Sequence, residues 1–197
     1  MNERMLAKPL CAVACLSMTL PLAGCEPVGK AVGDTQDSEP KVAYDGTDRG
    51  DVTIGVIGST QPSADKPLLE AFAAGRLNAA YASVEDMDDP SAAARSGVED
   101  MVARVVDAIV ICRIDVTDTD ASDWDEALDK ARKAGIPVVL ADPAASPADE
   151  LLYAANFVVD DDATDATPVD DAMMTIIDDR PHERTMTVTT ADESDSR

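Results

Sequence analysis

The sequence predicts an α/β domain built on a doubly wound, mostly parallel sheet. Residues 108–112 and 138–142 begin as continuous apolar runs, as expected of parallel strands that are buried on both faces. An amphipathic helix pattern over 123–134 lies between them and completes a strand–helix–strand unit. Strands and helices continue to alternate from residue 51 to residue 190, which is typical of a sheet covered by helices on both sides.

The central unit carries a sequence signal at each of its boundaries. Asp123 and Glu126 have the spacing of a capping box at a helix start. Trp124 and Leu128 then repeat at helical spacing, and Gly135 stands where a left-handed residue ends a helix. The apolar stripe is widened by three small residues, Ala127, Ala131 and Ala134.

Two strands and two helices are predicted before the central unit. Residues 51–58 form the first strand, and a turn-rich loop over 59–66 leads to a helix that starts at Pro67 with Asp65 as its cap. Residues 81–84 form a short second strand, and Asp89 caps the next helix. The residues of that helix expected to face the sheet are Val98, Met101, Val102 and Val105.

After the central unit, the pattern predicts one further helix and two strands. A loop over 143–149 is followed by a strand near 156–159, and Thr167-Pro168 opens a helix. Residues 185–190 are rich in β-formers and form a last strand. Residues 191–197 are predicted to be a disordered tail, so the folded domain spans 51–190.

The N-terminus has the pattern of a lipoprotein signal peptide over residues 1–24. Arg4 and Lys8 precede an apolar region at 10–20, which is too short to cross a membrane. The sequence Leu-Ala-Gly-Cys at 22–25 then matches a bacterial lipobox, in which Cys25 is acylated, for example with palmitate. The alternative is a generic secretory signal in which this cysteine is incidental.

Lipidation at Cys25 predicts a protein anchored at the extracytoplasmic face of the cell membrane. Residues 25–50 lack apolar periodicity and are predicted to be a flexible acidic tether. Cys112 would then be the one free thiol of the mature chain, so no intramolecular disulfide is expected. The formal net charge of −23 argues against nucleic acid as a partner and is typical of a solvated acidic surface.

The apolar strand VDAIVIC at 106–112, followed by AGIPVVLAD at 134–142, resembles the N-terminal lobe of type 1 periplasmic binding proteins. These are the solute-binding subunits of sugar ABC transporters, and the resemblance covers roughly residues 51–190. The family has two lobes, whereas this sequence matches one. The resemblance therefore implies a sugar-type solute-binding lipoprotein that is truncated or diverged to one lobe, with a permease or a missing second lobe as partner.

The same resemblance implies a ligand site at the carboxyl ends of the strands. Asp142 matches a carboxylate that binds sugar hydroxyls, and Ser59 and Thr60 match a small polar pair after the first strand. Arg113 and Asp161 follow the third and fifth strands. The sequence departs from the family in several places, because Pro143, Leu68, Leu69, Ala166 and Thr167 stand where arginine, stacking aromatics and a glycine are usual. Helix caps or solvated loop carboxylates are the alternative for Asp142 and Asp161.

No catalytic or metal-binding constellation is evident, so the sequence predicts a protein that is not an enzyme and needs no cofactor. His182 is the one histidine and lies in a polar turn, which argues against a histidine metal site or a Ser–His dyad. Residues 160–162 are three successive aspartates without EF-hand spacing. Two other functional hypotheses remain open, a surface interaction module that kept the fold without the ligand and a poorly folding fragment.

Overall fold

The computed structural model describes residues 27–34 and 46–191, and within them one sheet has seven strands. The strands are β1 (Thr53–Ile57), β2 (Asn78–Ala82), β3 (Ala108–Cys112), β4 (Val138–Ala141), β5 (Ala155–Val159), β6 (Thr167–Pro168) and β7 (Thr185–Thr189). The helices are α1 (Pro62–Ala74), α2 (Pro90–Arg104), α3 (Ala121–Lys133) and α4 (Val169–Ile177). The strand order is β2-β1-β3-β4-β5-β7-β6, and every pairing is parallel. The doubly wound parallel sheet is thus confirmed.

Helices cover both faces of the sheet and divide the core into two apolar clusters. On one face, α1 and α4 pack Phe72 and Met173 against the sheet. On the other face, α2 and α3 do the same with Met101 and Leu128. Every residue of β3 is buried, as its uninterrupted apolar sequence predicts for a central strand covered on both sides.

The start of α1 differs from the prediction, and this changes the position of Asp65 relative to the helix. The helix begins at Pro62 rather than Pro67, because a proline in the first turn needs no backbone N–H. Asp65 therefore lies inside the helix, does not cap it, and is 2% exposed. By contrast, Asp89 caps α2 as predicted, accepting a hydrogen bond from the Ala92 N–H at 2.9 Å.

The boundaries of α3 and the end of α2 also correct the sequence interpretation. The residue that precedes α3 is Asp120, so Asp123 lies in the first helical turn and the capping box is not formed. Val105 was expected to face the sheet, yet it ends α2 in a left-handed conformation and is 79% exposed. Gly135 follows α3 with φ of 74°, as predicted, and Ala134 beside it is exposed.

Two strands are placed differently from the sequence prediction. β2 begins at Asn78 rather than Tyr81, because its register with β1 is set from Thr53 onward. Thr167 and Pro168 pair with β7 as a short edge strand and do not open the helix as predicted. The helix α4 therefore begins at Val169. The last predicted strand is confirmed as β7.

Part of the sequence predicted as a tether lies against the domain. In residues 27–34, Ala31 is fully buried, and Arg132 donates hydrogen bonds to the carbonyl oxygens of Pro27 and Lys30 at 2.8 and 2.7 Å. Thr47 donates to Asp178 at 3.0 Å. The predicted signal peptide, the lipidation site Cys25, the middle of the tether and nearly all of the predicted tail fall outside the described residues.

Candidate functional site

Two cavities open at the edge of the sheet where the parallel strands end, which is where ligands bind in open α/β sheets. The larger one, about 520 Å³, lies between the ends of β1 and β3 and the starts of α2 and α3; we call it the α2–α3 cavity. The smaller one, about 250 Å³, lies between α1 and the ends of β3, β4 and β5; we call it the α1 cavity. Cys112 and Arg113 line both cavities and form their shared wall.

Arg113 and Asp142 lie side by side at this edge. Each follows directly on its strand, and the register of β3 and β4 pairs the preceding residues, Cys112 and Ala141. Both have left-handed backbones, with φ of 53° for Arg113 and 47° for Asp142. Such conformations are uncommon for residues other than glycine and concentrate at functional sites. Arg113 is exposed.

Asp142 and Asp161 both line the α1 cavity, and each is fixed by the backbone of a neighbouring strand. Asp142 Oδ1 accepts a hydrogen bond from the Val159 N–H at 3.0 Å. Asp161 Oδ1 accepts from the Thr190 N–H at 2.7 Å and from the Thr189 hydroxyl at 2.9 Å. Burial opposes ionisation of Asp161, but these hydrogen bonds outweigh it and hold the pKa of its carboxyl below the usual range.

The polar pair after β1 divides between a buried and an exposed residue. Ser59 is 6% exposed, and both its N–H and its hydroxyl donate to the Asp65 carboxylate at 2.8 Å. Thr60 is exposed and lines the α2–α3 cavity. Four of the predicted site residues thus line an open cavity: Thr60, Arg113, Asp142 and Asp161. Ser59 lines the same cavity as Thr60, but it is buried.

Sequence reasoning missed the buried carboxylate of Asp65. In addition to Ser59, it accepts a hydrogen bond from the Tyr81 hydroxyl at 2.9 Å. Burial, reinforced by this hydrogen bond, raises the pKa of Tyr81 to about 12, and burial likewise raises the pKa of the Cys112 thiol. A side chain at Gly58 would come within 2.2 Å of the Tyr81 hydroxyl, so a glycine is required there. The one available signal was an aspartate three residues after Pro62, in the first turns of the helix, which also suits a cap.

A second polar cluster holds the starts of α2 and α3 together beside the α2–α3 cavity. Ser91 donates to Asp120 at 2.7 Å and accepts from the indole N–H of Trp124 at 3.1 Å. Arg95 lies over the Trp124 ring at 5.7 Å and reaches Asp120 at 3.5 Å. Hydrogen bonds from Thr117 and Ser91 lower the pKa of Asp120 to about 2. The sequence identified Trp124 as a core residue but gave no sign of these long-range partners.

The described residues contain no group of three or more histidine, cysteine or acidic side chains arranged to hold a metal ion. In the run of three aspartates, the Asp160 carboxylate accepts from the Asp162 N–H at 3.0 Å, and Asp161 is bound to β7 as described above. His182 lies away from both cavities, with its Nε2 atom 3.0 Å from the Gly33 carbonyl oxygen. No described helix is both long and apolar enough to cross a membrane.

Comparison with known proteins finds solved structures that resemble part of the chain but no matching sequence family. No family model and no curated protein matches it. A galactofuranose binding protein shares 20% identity over 56% of this chain and 36% of its own, with a TM-score of 0.44. A Mycobacterium smegmatis protein in complex with β-D-fucofuranose shares 17% identity over 70% of this chain and 54% of its own, with a TM-score of 0.45.

A third neighbour is a pilus assembly-related protein from Burkholderia pseudomallei K96243. It shares 15% identity over 72% of this chain and 99% of its own length, with a TM-score of 0.44. This chain thus spans about a third to a half of the length of the first two neighbours and nearly all of the third. The fold class itself rests on the strand order described above.

Proposed function

We propose that this chain is a lipid-anchored extracytoplasmic solute-binding protein whose ligand is a small hydroxylated molecule of the sugar type. The observation that carries the proposal is the placement of Arg113 beside Asp142 in the wall of the α1 cavity, at the ligand-binding edge of the sheet. The sequence resemblance to one lobe of the sugar-binding proteins supports the same site.

The chemistry of this pair suits vicinal hydroxyl groups. A guanidinium offers several donors in a fixed plane, and a carboxylate accepts from two hydroxyls at once. Asp142 Oδ1 is engaged by the Val159 N–H, which fixes the carboxylate and leaves Oδ2 to accept from a ligand. Asp161 also lines this cavity, but both of its oxygen atoms already accept hydrogen bonds from Thr190 at the end of β7, so Asp142 is the main acceptor for a ligand.

The geometry also implies weak binding by this lobe alone. Pockets that bind small ligands enclose about 300–1,000 Å³ and cover most of the ligand surface. The α1 cavity holds about 250 Å³ and is open to solvent on one side. A second lobe or a second copy of this chain would supply the missing wall, so affinity of the isolated chain for sugars is expected in the millimolar range.

Replacing Arg113 by glutamine is expected to weaken solute binding about 10- to 100-fold, since a hydrogen bond from a charged donor contributes roughly 1.5–3 kcal/mol. The measurement is a chemical-shift titration with furanoses, pyranoses and inositols, followed at the amides of residues 113 and 142. Arg76→Gln is the matched control, because Arg76 is also exposed with a left-handed backbone (φ of 62°) but lies at the opposite edge. Equal affinity in both variants would contradict the assignment of the site.

The anchor is tested separately from the solute. Metabolic labelling with an alkyne fatty acid is expected to label the protein in the membrane fraction, and Cys25→Ser is expected to abolish both the label and the membrane association. Cys15→Ser, a change inside the predicted signal peptide, is the matched control and should retain both. Undiminished labelling of the Cys25→Ser protein would rule out this anchor.

A second candidate function, an interaction module without a solute, has its own structural support. Ser59 donates from both its N–H and its hydroxyl to Asp65, and Leu68, which stands where a stacking aromatic is usual, is 5% exposed. Ser59 therefore offers no free donor to a ligand, and Leu68 offers no aromatic ring. A folded chain whose amides at 113 and 142 do not respond to any sugar at tens of millimolar would favour this function over solute binding.

A further inference from the structure

Residues 27–34 form a strap that is bound to the edge of the sheet where the strands begin, which we call the amino edge. Arg132, in the last turn of α3, is the main contact: its Nη1 donates to the carbonyl oxygen of Lys30 and its Nη2 to that of Pro27. The same Nη1 donates to the Leu151 carbonyl oxygen at 2.7 Å, so one guanidinium ties the strap to two elements of the domain. Ala31, at the centre of the strap, has no exposed surface.

The second half of the strap is fitted to the domain as closely as a core segment. Gly33 has φ of 83°, and a side chain there would come within 2.8 Å of Ile176 and 2.9 Å of Pro137. Only glycine meets both requirements. Its carbonyl oxygen faces His182 at 3.0 Å, and the next residue, Asp34, lies 3.4 Å from Arg184, which precedes β7. A flexible linker has no need for such specific contacts.

The strap begins two residues after Cys25, the predicted lipidation site. Because an extended residue spans at most about 3.6 Å, the Cα atom of Cys25 can be no more than roughly 7–8 Å from that of Pro27. A lipid group attached to Cys25 would therefore join the chain beside the amino edge. The candidate solute site is at the opposite edge, beyond the ends of the strands.

The charge distribution of the domain agrees with this orientation. Helices that cross back over a parallel sheet end at the amino edge, and basic residues follow or end all four of them. They are Arg76, Arg104, Arg132, Lys133 and Arg180. Acidic residues such as Asp107, Asp149 and Asp178 lie at the same edge, so it carries charges of both signs. The loops at the opposite edge are acidic, notably residues 85–89, 115–120 and 160–165. A surface that carries anionic lipid repels the acidic loops and favours contact through the amino edge.

We propose that the strap fixes the orientation of the domain on the membrane, with the amino edge against a lipid surface and the solute site facing away from it. The inference rests on the lipid anchor of the proposed function, but the strap itself can be tested without lipid or solute. The full chain with Cys11→Ser and Cys15→Ser carries a nitroxide on Cys25, and Cys112, 6% exposed, stays unlabelled. Paramagnetic broadening of the amide signals is then measured.

The expected result is strong broadening at Gly135 and Leu151, near the strap, and none at Thr60 and Arg113, at the opposite edge. Arg132→Gln is expected to reduce the broadening at the amino edge several-fold. Arg104→Gln, at the same edge but paired with Asp100 at 2.8 Å, is expected to leave the broadening unchanged. Equal broadening at both edges would overturn the proposal. If Arg132→Gln fails to fold, Gly33→Val replaces it, with the same expectation.

The orientation on the membrane is tested with two lysines of nearly equal exposure. The side chains of Lys133, at the amino edge, and Lys66, in α1 near the solute edge, are 67% and 69% exposed. On vesicles of phosphatidylglycerol and phosphatidylcholine, acetylation of Lys133 in the lipidated protein should be several-fold slower than in soluble Cys25→Ser protein. Acetylation of Lys66 should not change. Slower reaction of Lys66, or of both lysines equally, would contradict the orientation, whereas a missing acyl group, seen in the protein mass, would contradict the anchor.

Discussion

Replacing Asp65 by alanine is expected to lower the free energy of unfolding by about 3 kcal/mol, since it removes the acceptor of three hydrogen bonds, two of them buried. The donors are the N–H and hydroxyl of Ser59 and the hydroxyl of Tyr81. Together they connect α1 to the ends of β1 and β2 beneath the candidate site. Urea denaturation followed by circular dichroism measures the change.

The matched control is Asp125→Ala, an exposed aspartate on α3, for which a change within about 0.5 kcal/mol is expected. Ultraviolet titration of Tyr81 supplies a second readout. Its pKa of about 12 lies above the ordinary value of 10.0, so the neutral phenol stabilises the fold fully below pH 10 and this contribution disappears as pH rises towards 12. In the Asp65→Ala protein the pKa of Tyr81 should fall part of the way towards 10, because burial, the larger cause, remains, and an unchanged pKa would show that Asp65 does not contribute.

Replacing Trp124 by alanine is expected to destabilise the protein by about 3–5 kcal/mol, the range for a large aromatic removed from a packed core. Trp124 is 2% exposed and belongs to the apolar cluster under α2 and α3. Its indole also donates to Ser91 and lies beneath Arg95, so the change removes packing and a polar link at once. Thermal and urea unfolding both report the loss.

Trp124→Phe separates the two contributions, because it keeps most of the apolar volume and removes the indole N–H. A loss of about 1–2 kcal/mol is expected for this variant. If the phenylalanine variant were as unstable as the alanine variant, the polar cluster would dominate and packing would be secondary. If both were as stable as the unmodified protein, the α2–α3 contact would not contribute to the fold.

The sequence predicted the centre of the sheet well because the central strands have an unambiguous pattern. The all-apolar run at 108–112 has only one compatible environment, a strand covered on both faces, and the structure places it there. Helix starts were harder to predict, because Asp65, Asp120 and Asp123 are all plausible caps by residue type. Their side chains are distinguished by distant partners, such as Tyr81 for Asp65 and Ser91 for Asp120, which local spacing does not reveal.

The candidate site was predictable in outline for a related reason. Residues that follow parallel strands must meet at one edge, so Arg113, Asp142 and Asp161 were expected to be neighbours. Which of their oxygen atoms are already engaged depends on the pairing of β4, β5 and β7, as the hydrogen bonds to Val159 and Thr190 show. Periodicity could not identify residues 27–34 as a bound segment either, because its contacts to Arg132 and His182 are more than 100 residues away.

The strap, residues 27–34, has a consequence for where a bound solute would be released. A strand of five residues spans about 17 Å, so in the orientation proposed above a solute released between Arg113 and Asp142 would leave at least that far from the bilayer, on the side facing away from it. In that orientation, a transporter in the same bilayer would receive the solute only if it extended past the domain. Otherwise the domain would have to reorient after the strap detached from it. A partner protein that extends further from the membrane would, by comparison, contact the solute site directly.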